Sequence, residues 1–257
     1  MQDFIIYLLI SISIIFYFSS SFFAFKNKSK LSFILFFAGF ISNIILKAFN
    51  WIICGYPPFA NMYHVIAVLP LGLFPLCFLI LKRYPKLKWL NAYFSLTAGI
   101  PMVGLLFMNK QLEWSQMPAL KSVYFVPHVL SYMISYALFA VAFILGIVKL
   151  FDKKSLKNYD FAIYQTILIG FPFMTCGLML GSIWAEAAWG NYWTWDAKEV
   201  WALITWFIYL IYLHCHLQKP LHKFCNLSQI VGFCSLLITF FAVNLMPAVY
   251  SSLHSYT

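Results

Sequence analysis

The sequence predicts an all-α fold: a polytopic transmembrane helical bundle of about eight spans, with an external tryptophan-rich segment between spans six and seven. Three observations carry that prediction. The 257 residues are 63% hydrophobic and 9% charged, whereas soluble domains carry about 25% charged residues. Apolar runs of about 20 residues, the length that crosses a bilayer, recur along the chain. Between them, lysines gather in every second loop. A soluble globular protein is excluded. The net charge of +10 reports orientation rather than nucleic-acid binding, because the basic residues sit in short loops between apolar runs.

In order, the spans are expected at 4–25, 31–54, 61–81, 89–108, 124–149, 161–185, 199–217 and 227–246. Lys26, Lys28 and Lys30 follow the first. Lys82, Arg83, Lys86 and Lys88 follow the third. Lys149, Lys153, Lys154 and Lys157 follow the fifth, and Lys219 and Lys223 the seventh. The opposite loops carry little: 55–60 has no charge, and 109–123 has Lys110, Glu113 and Lys121. The positive-inside rule then places both termini outside. The first run lacks a basic leader and a small-residue cleavage site, so it reads as a retained span. Pro70, Pro75 and Pro172 read as span ends or kinks. The six cysteines form no CxxC pair and read as small buried hydrophobes. Residues 1–257 are expected to form a single integral membrane domain.

Residues 184–206, WAEAAWGNYWTWDAKEVWALITW, hold six of the nine tryptophans and three of the seven acids. Trp is large and flat, with one N–H donor. Clustered at a membrane face, such rings suit a flat apolar partner with a polar edge, which describes haem. An aromatic belt is spread around both interfaces and does not need Gly190, Asn191 and Asp196 between its rings.

The topology sorts the six histidines. His128, in VPHVLSY, and His254, in SSLHSYT, fall on the same side as the tryptophan segment. Neutral imidazole is the commonest metal ligand, and two imidazoles on opposite faces of a porphyrin complete six-coordinate iron. His214 and His216 lie at the inner end of the seventh span, on different helical faces. His222 reads as solvated. His64 has two open readings, functional or interfacial. Lys47 is expected to snorkel to the outer surface.

WGNYWTWDAKEVWALITW resembles the signature of the WWD family of haem-handling proteins, and more narrowly the CcsA (ResC) subunit of the System II cytochrome c synthase. In that family it reads close to WGxYWxWDxKExWxLITW. LKSVYFVPHVLSYMISYALF, LIYLHCHL and VNLMPAVYSSLHSYT are similar to the segments bearing the family's first external, membrane and second external histidines. Residues 119–257 carry the likeness; 1–110 is supported mainly by its spans and FANMY. His64 departs from the family, which usually has an acid after NxY.

The resemblance implies cytochrome c biogenesis. Haem b would be taken from the cytoplasmic side, held at the outer face and presented to the CxxCH cysteines of an apocytochrome c. A CcsB/ResB-type membrane subunit would be the partner, in the bacterial inner membrane or the thylakoid membrane. His128 and His254 would be the axial ligands. Trp189, Trp193 and Trp195 would form a flat wall against the porphyrin. Asp196 would serve the site structurally, as the N-cap of the seventh helix. Lys198, with Lys121, would pair with the propionates. His214 would ligate haem on the cytoplasmic side. No residue reads as a general acid or nucleophile; the contribution would be positioning. The rival readings are a CcmC-like haem chaperone and a haem exporter without ligation activity.

Overall fold

A computed structural model describes residues 2–59, 61–110, 118–152 and 157–242. Among these residues every regular element is helical, as the composition predicts. The chain is a polytopic transmembrane helical bundle. It forms two compact units, Met1–Gln116 and Met117–Thr257.

The first unit holds α1 (Gln2–Phe25), α2 (Ser29–Cys54), α3 (Met62–Ile66), α4 (Leu69–Arg83) and α5 (Leu90–Leu106). α1 packs on α2 and α5, and α4 on α5 and α2. Hydroxyls knit the apolar helices together. Ser13 donates to Ser42 Oγ, Ser32 to Ser20 O, and Ser21 to Ala92 O, at 2.8–2.9 Å. In a membrane, where the hydrophobic effect does not drive helices together, such bonds and close contacts do.

Two expected spans differ in detail. The third is broken: α3 ends at Ile66 and α4 begins at Leu69, with Pro70 in its first turn. Proline has no N–H to give to Ile66 O one turn back, so the helix restarts there. The fourth is 17 residues long, about 25 Å at 1.5 Å per residue, a little short of the roughly 30 Å hydrocarbon core. The chain thus has seven helical segments long and apolar enough to cross a membrane, plus this shorter one, among the described residues.

The second unit holds α6 (Phe125–Phe151), α7 (Tyr159–Trp189), α8 (Ala197–Leu217) and α9 (His222–Leu237), the last continued by a π-helical turn, Ile238–Ala242. α6 and α7 pair antiparallel through a stripe of glycines. Gly170 lies against Phe139, Gly177 against Tyr132 and Gly181 against His128, and Trp184 packs on Phe125. The steps along α7 are seven, four and three residues, matched by equal steps back along α6. Without Cβ atoms at 170, 177 and 181 the large rings of α6 seat directly on the α7 backbone. α8 packs on α9 and α7, and α9 on α6. Residues 243–246 of the expected eighth span lie outside the described residues.

Lys47 corrects one expectation. It is 9% exposed and does not snorkel. Its ammonium donates to Pro58 O and, at 2.8 Å, to His64 O. His64 itself is fully buried. No disulfide joins cysteines among the described residues. Cys77 and Cys225 are buried, whereas Cys176 and Cys234 are exposed on their helices.

Candidate haem-handling site

The tryptophan segment divides into a helix end, a short loop and a helix start. α7 runs four residues past its expected end, because Glu186, Ala187 and Ala188 favour helix. Gly190 stops it in the left-handed conformation, φ +77°, donating its N–H to Glu186 O. This is a common helix C-terminus, and Gly takes that conformation without a Cβ clash. Trp184 and Trp189 are therefore helical residues. Trp184 is 2% exposed. Its Nε1 donates to Ala119 O at 2.8 Å, tying down the turn before α6. Its ring contacts Trp189 at 4.8 Å. Trp206 is bound likewise, donating Nε1 to Thr175 Oγ1 at 2.9 Å. These two indoles hold helices together.

Trp193 and Trp195 lie in the loop. Their rings meet edge to face, centroids 5.8 Å apart and planes at 82°, so they make a corner and not one flat wall. Trp195 is 70% exposed and has φ +60°. That backbone conformation costs a non-glycine residue roughly 1–2 kcal/mol, and such strain gathers at functional sites. The Nε1 of Trp193 is buried and has no hydrogen-bond partner among the described residues. An orphaned donor beside an exposed indole is what a bound polar edge would satisfy.

α8 starts on a capping box. Asp196 Oδ1 accepts from Glu199 N at 2.9 Å, while Glu199 Oε2 accepts from Asp196 N at 3.3 Å and from Thr194 N at 2.7 Å. The expected N-cap role of Asp196 is present. Two acids at the start of a helix also complement its dipole. Lys198 follows, half-buried in the first turn.

His128 sits near the start of α6, half-buried, between two rings. It stacks on Trp184 at 5.6 Å and 26°, and meets Tyr132 edge-on at 5.1 Å. Its Nδ1 lies 2.8 Å from Gly177 O. A carbonyl only accepts, so Nδ1 carries the hydrogen and Nε2 the lone pair. His214, exposed near the end of α8, has the same arrangement: its Nδ1 donates to Leu210 O at 2.9 Å. Both histidines are thus fixed in the tautomer that a metal ligand through Nε2 needs. About 25 Å of helix separates His214 from the first turn of α8. His216 is occupied otherwise, stacked between Tyr164 at 4.0 Å and His222 at 4.8 Å. His222, expected to be solvated, also bonds His216 O through Nε2. His254, the second expected outer ligand, lies outside the described residues.

The structure thus brings His128 onto Trp184 and Trp184 onto Trp189, and groups Trp193, Trp195, Asp196 and Lys198 in one loop and helix start. Gly177 and Gly181, which seat His128, were missed in the sequence. Their signal was available: GLMLG at 177–181 is a GxxxG pattern.

Helices that cross a membrane, a tautomer-fixed histidine and an indole corner at a capped helix start define a polytopic membrane protein with a built tryptophan site. Residues 3–250 match the cytochrome C assembly protein family. The chain is 30% identical to the cytochrome c biogenesis protein CcsA of Cyanophora paradoxa, over 84% of each chain. It is equally identical to CcsA of Prochlorococcus marinus (strain MIT 9515), over 90% of this chain and 85% of that one. Among solved structures it is similar to the cytochrome c heme lyase CcmF. The TM-score is 0.73 at 16% identity, over 94% of this chain and 47% of that one; that likeness speaks to the fold alone. The chain belongs to the cytochrome c assembly family, among its CcsA members, and its role lies in cytochrome c biogenesis.

Proposed function

We propose that this protein takes up haem b, holds it at the outer face of its membrane and presents it for thioether attachment to the CxxCH cysteines of apocytochrome c. A CcsB/ResB-type subunit completes the synthase. The single observation that carries the reading is His128: an imidazole fixed as Nδ1–H donor by Gly177 O and packed on Trp184 beside the tryptophan segment. His254, outside the described residues, would be the second iron ligand. The indole corner of Trp193 and Trp195, with Trp189, lies against the porphyrin. Trp193 Nε1 and Lys198 serve its polar edge. Asp196 holds that loop through the capping box and does not touch the propionates, whose charge would repel it.

In this reading the protein supplies no nucleophile; the attacking thiolates belong to the apocytochrome. What the chain supplies is orientation: iron held from both sides fixes the ring, and a fixed ring keeps its vinyl groups within reach of the incoming cysteines. His214 is the loading ligand on the cytoplasmic side. The CcsA relatives, named for cytochrome c biogenesis, support a role in that process.

The test is maturation of a reporter cytochrome c in cells dependent on this protein and its partner subunit. His128→Ala should lower holocytochrome yield at least tenfold. Exogenous imidazole should recover part of it by taking the vacant coordination position. Wild-type yield in His128→Ala, with no response to imidazole, rejects the ligand assignment.

A further inference from the structure

The first unit contains a buried cluster of polar side chains, Lys47, Asn50, Tyr63 and His64, that the function proposed above does not use. Lys47 is 9% exposed within a membrane-spanning helix. Its ammonium is held by two backbone carbonyls, Pro58 O and His64 O, and by the face of Phe59, 4.4 Å from the ring centroid. Carbonyl dipoles and a ring face solvate an ammonium; they do not neutralise it, and an uncompensated buried charge is expensive.

The surroundings are rich in donors. Asn50 is fully buried, and its Nδ2 donates to Tyr63 Oη at 3.1 Å; the phenol keeps its own hydrogen to give. His64 is fully buried, and its Nδ1 has no hydrogen-bond partner among the described residues. A second cation stands close by. Lys110, 7% exposed, donates to Met108 O at 2.9 Å and lies 3.8 Å from the Tyr7 centroid. Asn61 links the two, accepting from His64 N at 2.8 Å and donating to Lys110 O at 3.4 Å. Residues 1–116 contain two acids. Asp3 is exposed in the first turn of α1, and Glu113 lies outside the described residues.

We propose that Lys47, Tyr63 and His64 form a receptor for one carboxylate group. Its oxygens would accept from the ammonium, the phenol and the imidazole Nδ1, which carries the hydrogen when Nε2 accepts from the Cys54 thiol 3.9 Å away. Asn50 Oδ1 is a further buried acceptor without a partner among the described residues. A metal cation is disfavoured by the ammonium. A phosphate dianion would leave net negative charge in an apolar setting. The carboxylate comes either from a free small acid or from an acidic side chain of a partner subunit.

Two arms separate these sources. In the first, the unfolding midpoint of the purified protein is followed in sodium propionate against sodium chloride at equal ionic strength. A free-acid site gives a saturable rise of a few degrees, by mass action. The rise is absent in Lys47→Met, and Tyr63→Phe needs several-fold more propionate. In the second arm the partner subunit is co-expressed. A partner-borne carboxylate gives no response to propionate alone, but Lys47→Met loses the co-purifying partner and Lys47→Arg keeps it. The proposal is overturned if propionate has no effect and Lys47→Met retains its partner. It is overturned equally if Glu113→Gln reproduces every effect of Lys47→Met, since the countercharge would then be the chain's own. Should Lys47→Met fail to accumulate, Tyr63→Phe and Lys47→Arg decide the two arms.

Discussion

His128 on α6 donates its Nδ1–H to the carbonyl of Gly177 on α7, at 2.8 Å. One turn further along α7, a Cβ on Gly181 would lie 2.6 Å from His128 Cε1. The ring is held between Trp184 and Tyr132 and has little room to yield, so Gly181→Ala should expel it and break the bond to Gly177. Cytochrome c maturation should then fall nearly as far as in His128→Ala, at comparable protein levels. Gly104→Ala, where a Cβ meets nothing within 4 Å, should mature cytochrome normally. A fully active Gly181→Ala variant would show that the seating of His128 does not matter.

The capping box separates two roles for Asp196. As an N-cap its carboxylate is replaceable: Asp196→Ala should cost about 1 kcal/mol of stability, seen as a lower unfolding midpoint, and Asp196→Asn or Asp196→Ser should restore most of it. Maturation should follow stability across the three variants. If Asp196→Asn unfolds like wild type yet fails to mature cytochrome, Asp196 acts on the ligand directly.

Trp193 gives a test with opposite signs in its two readouts. Its buried Nε1 lacks a partner among the described residues, and an unsatisfied buried donor costs roughly 1–3 kcal/mol. Trp193→Phe removes the donor and keeps an aromatic ring. Without haem the variant should be as stable as wild type or more so; with haem it should retain the ligand several-fold less well. Equal haem retention would remove Trp193 Nε1 from the site.

Much of the fold was legible in the sequence because length and composition fix membrane spans almost alone. The break in the third span was signalled by Pro70. The capping box was readable from Asp196 and Glu199 three positions apart, since both partners are local. The seating of His128 was harder to read. It depends on the register between α6 and α7, which joins residues 49 apart, and only GLMLG hinted at it. Lys47 misled for a related reason. Snorkelling is the default for a lysine in an apolar helix, and the carbonyls that hold it belong to a turn and a short helix whose placement no local pattern gives. His216 and His222 form a stack with Tyr164 that spacing alone did not reveal.

His214 and the tryptophan corner stand at opposite ends of α8, and one haem cannot touch both. If the outer site is loaded through His214, His214→Ala should lower haem at both ends of the pathway. His128→Ala should empty the outer site and leave haem near His214. Haem content of the two variants, purified with the proposed CcsB/ResB-type subunit, distinguishes them. Full occupancy in His214→Ala would confine haem binding to the outer site.

The central claim, that His128 coordinates haem at the tryptophan segment, is tested most directly by the absorption spectrum of the protein purified with the proposed CcsB/ResB-type subunit. Wild type should show the low-spin spectrum of bis-histidine iron. In His128→Ala that component should disappear or turn high-spin, and added imidazole should bring it back. A low-spin spectrum in His128→Ala identical to wild type, with no change on adding imidazole, would contradict the account.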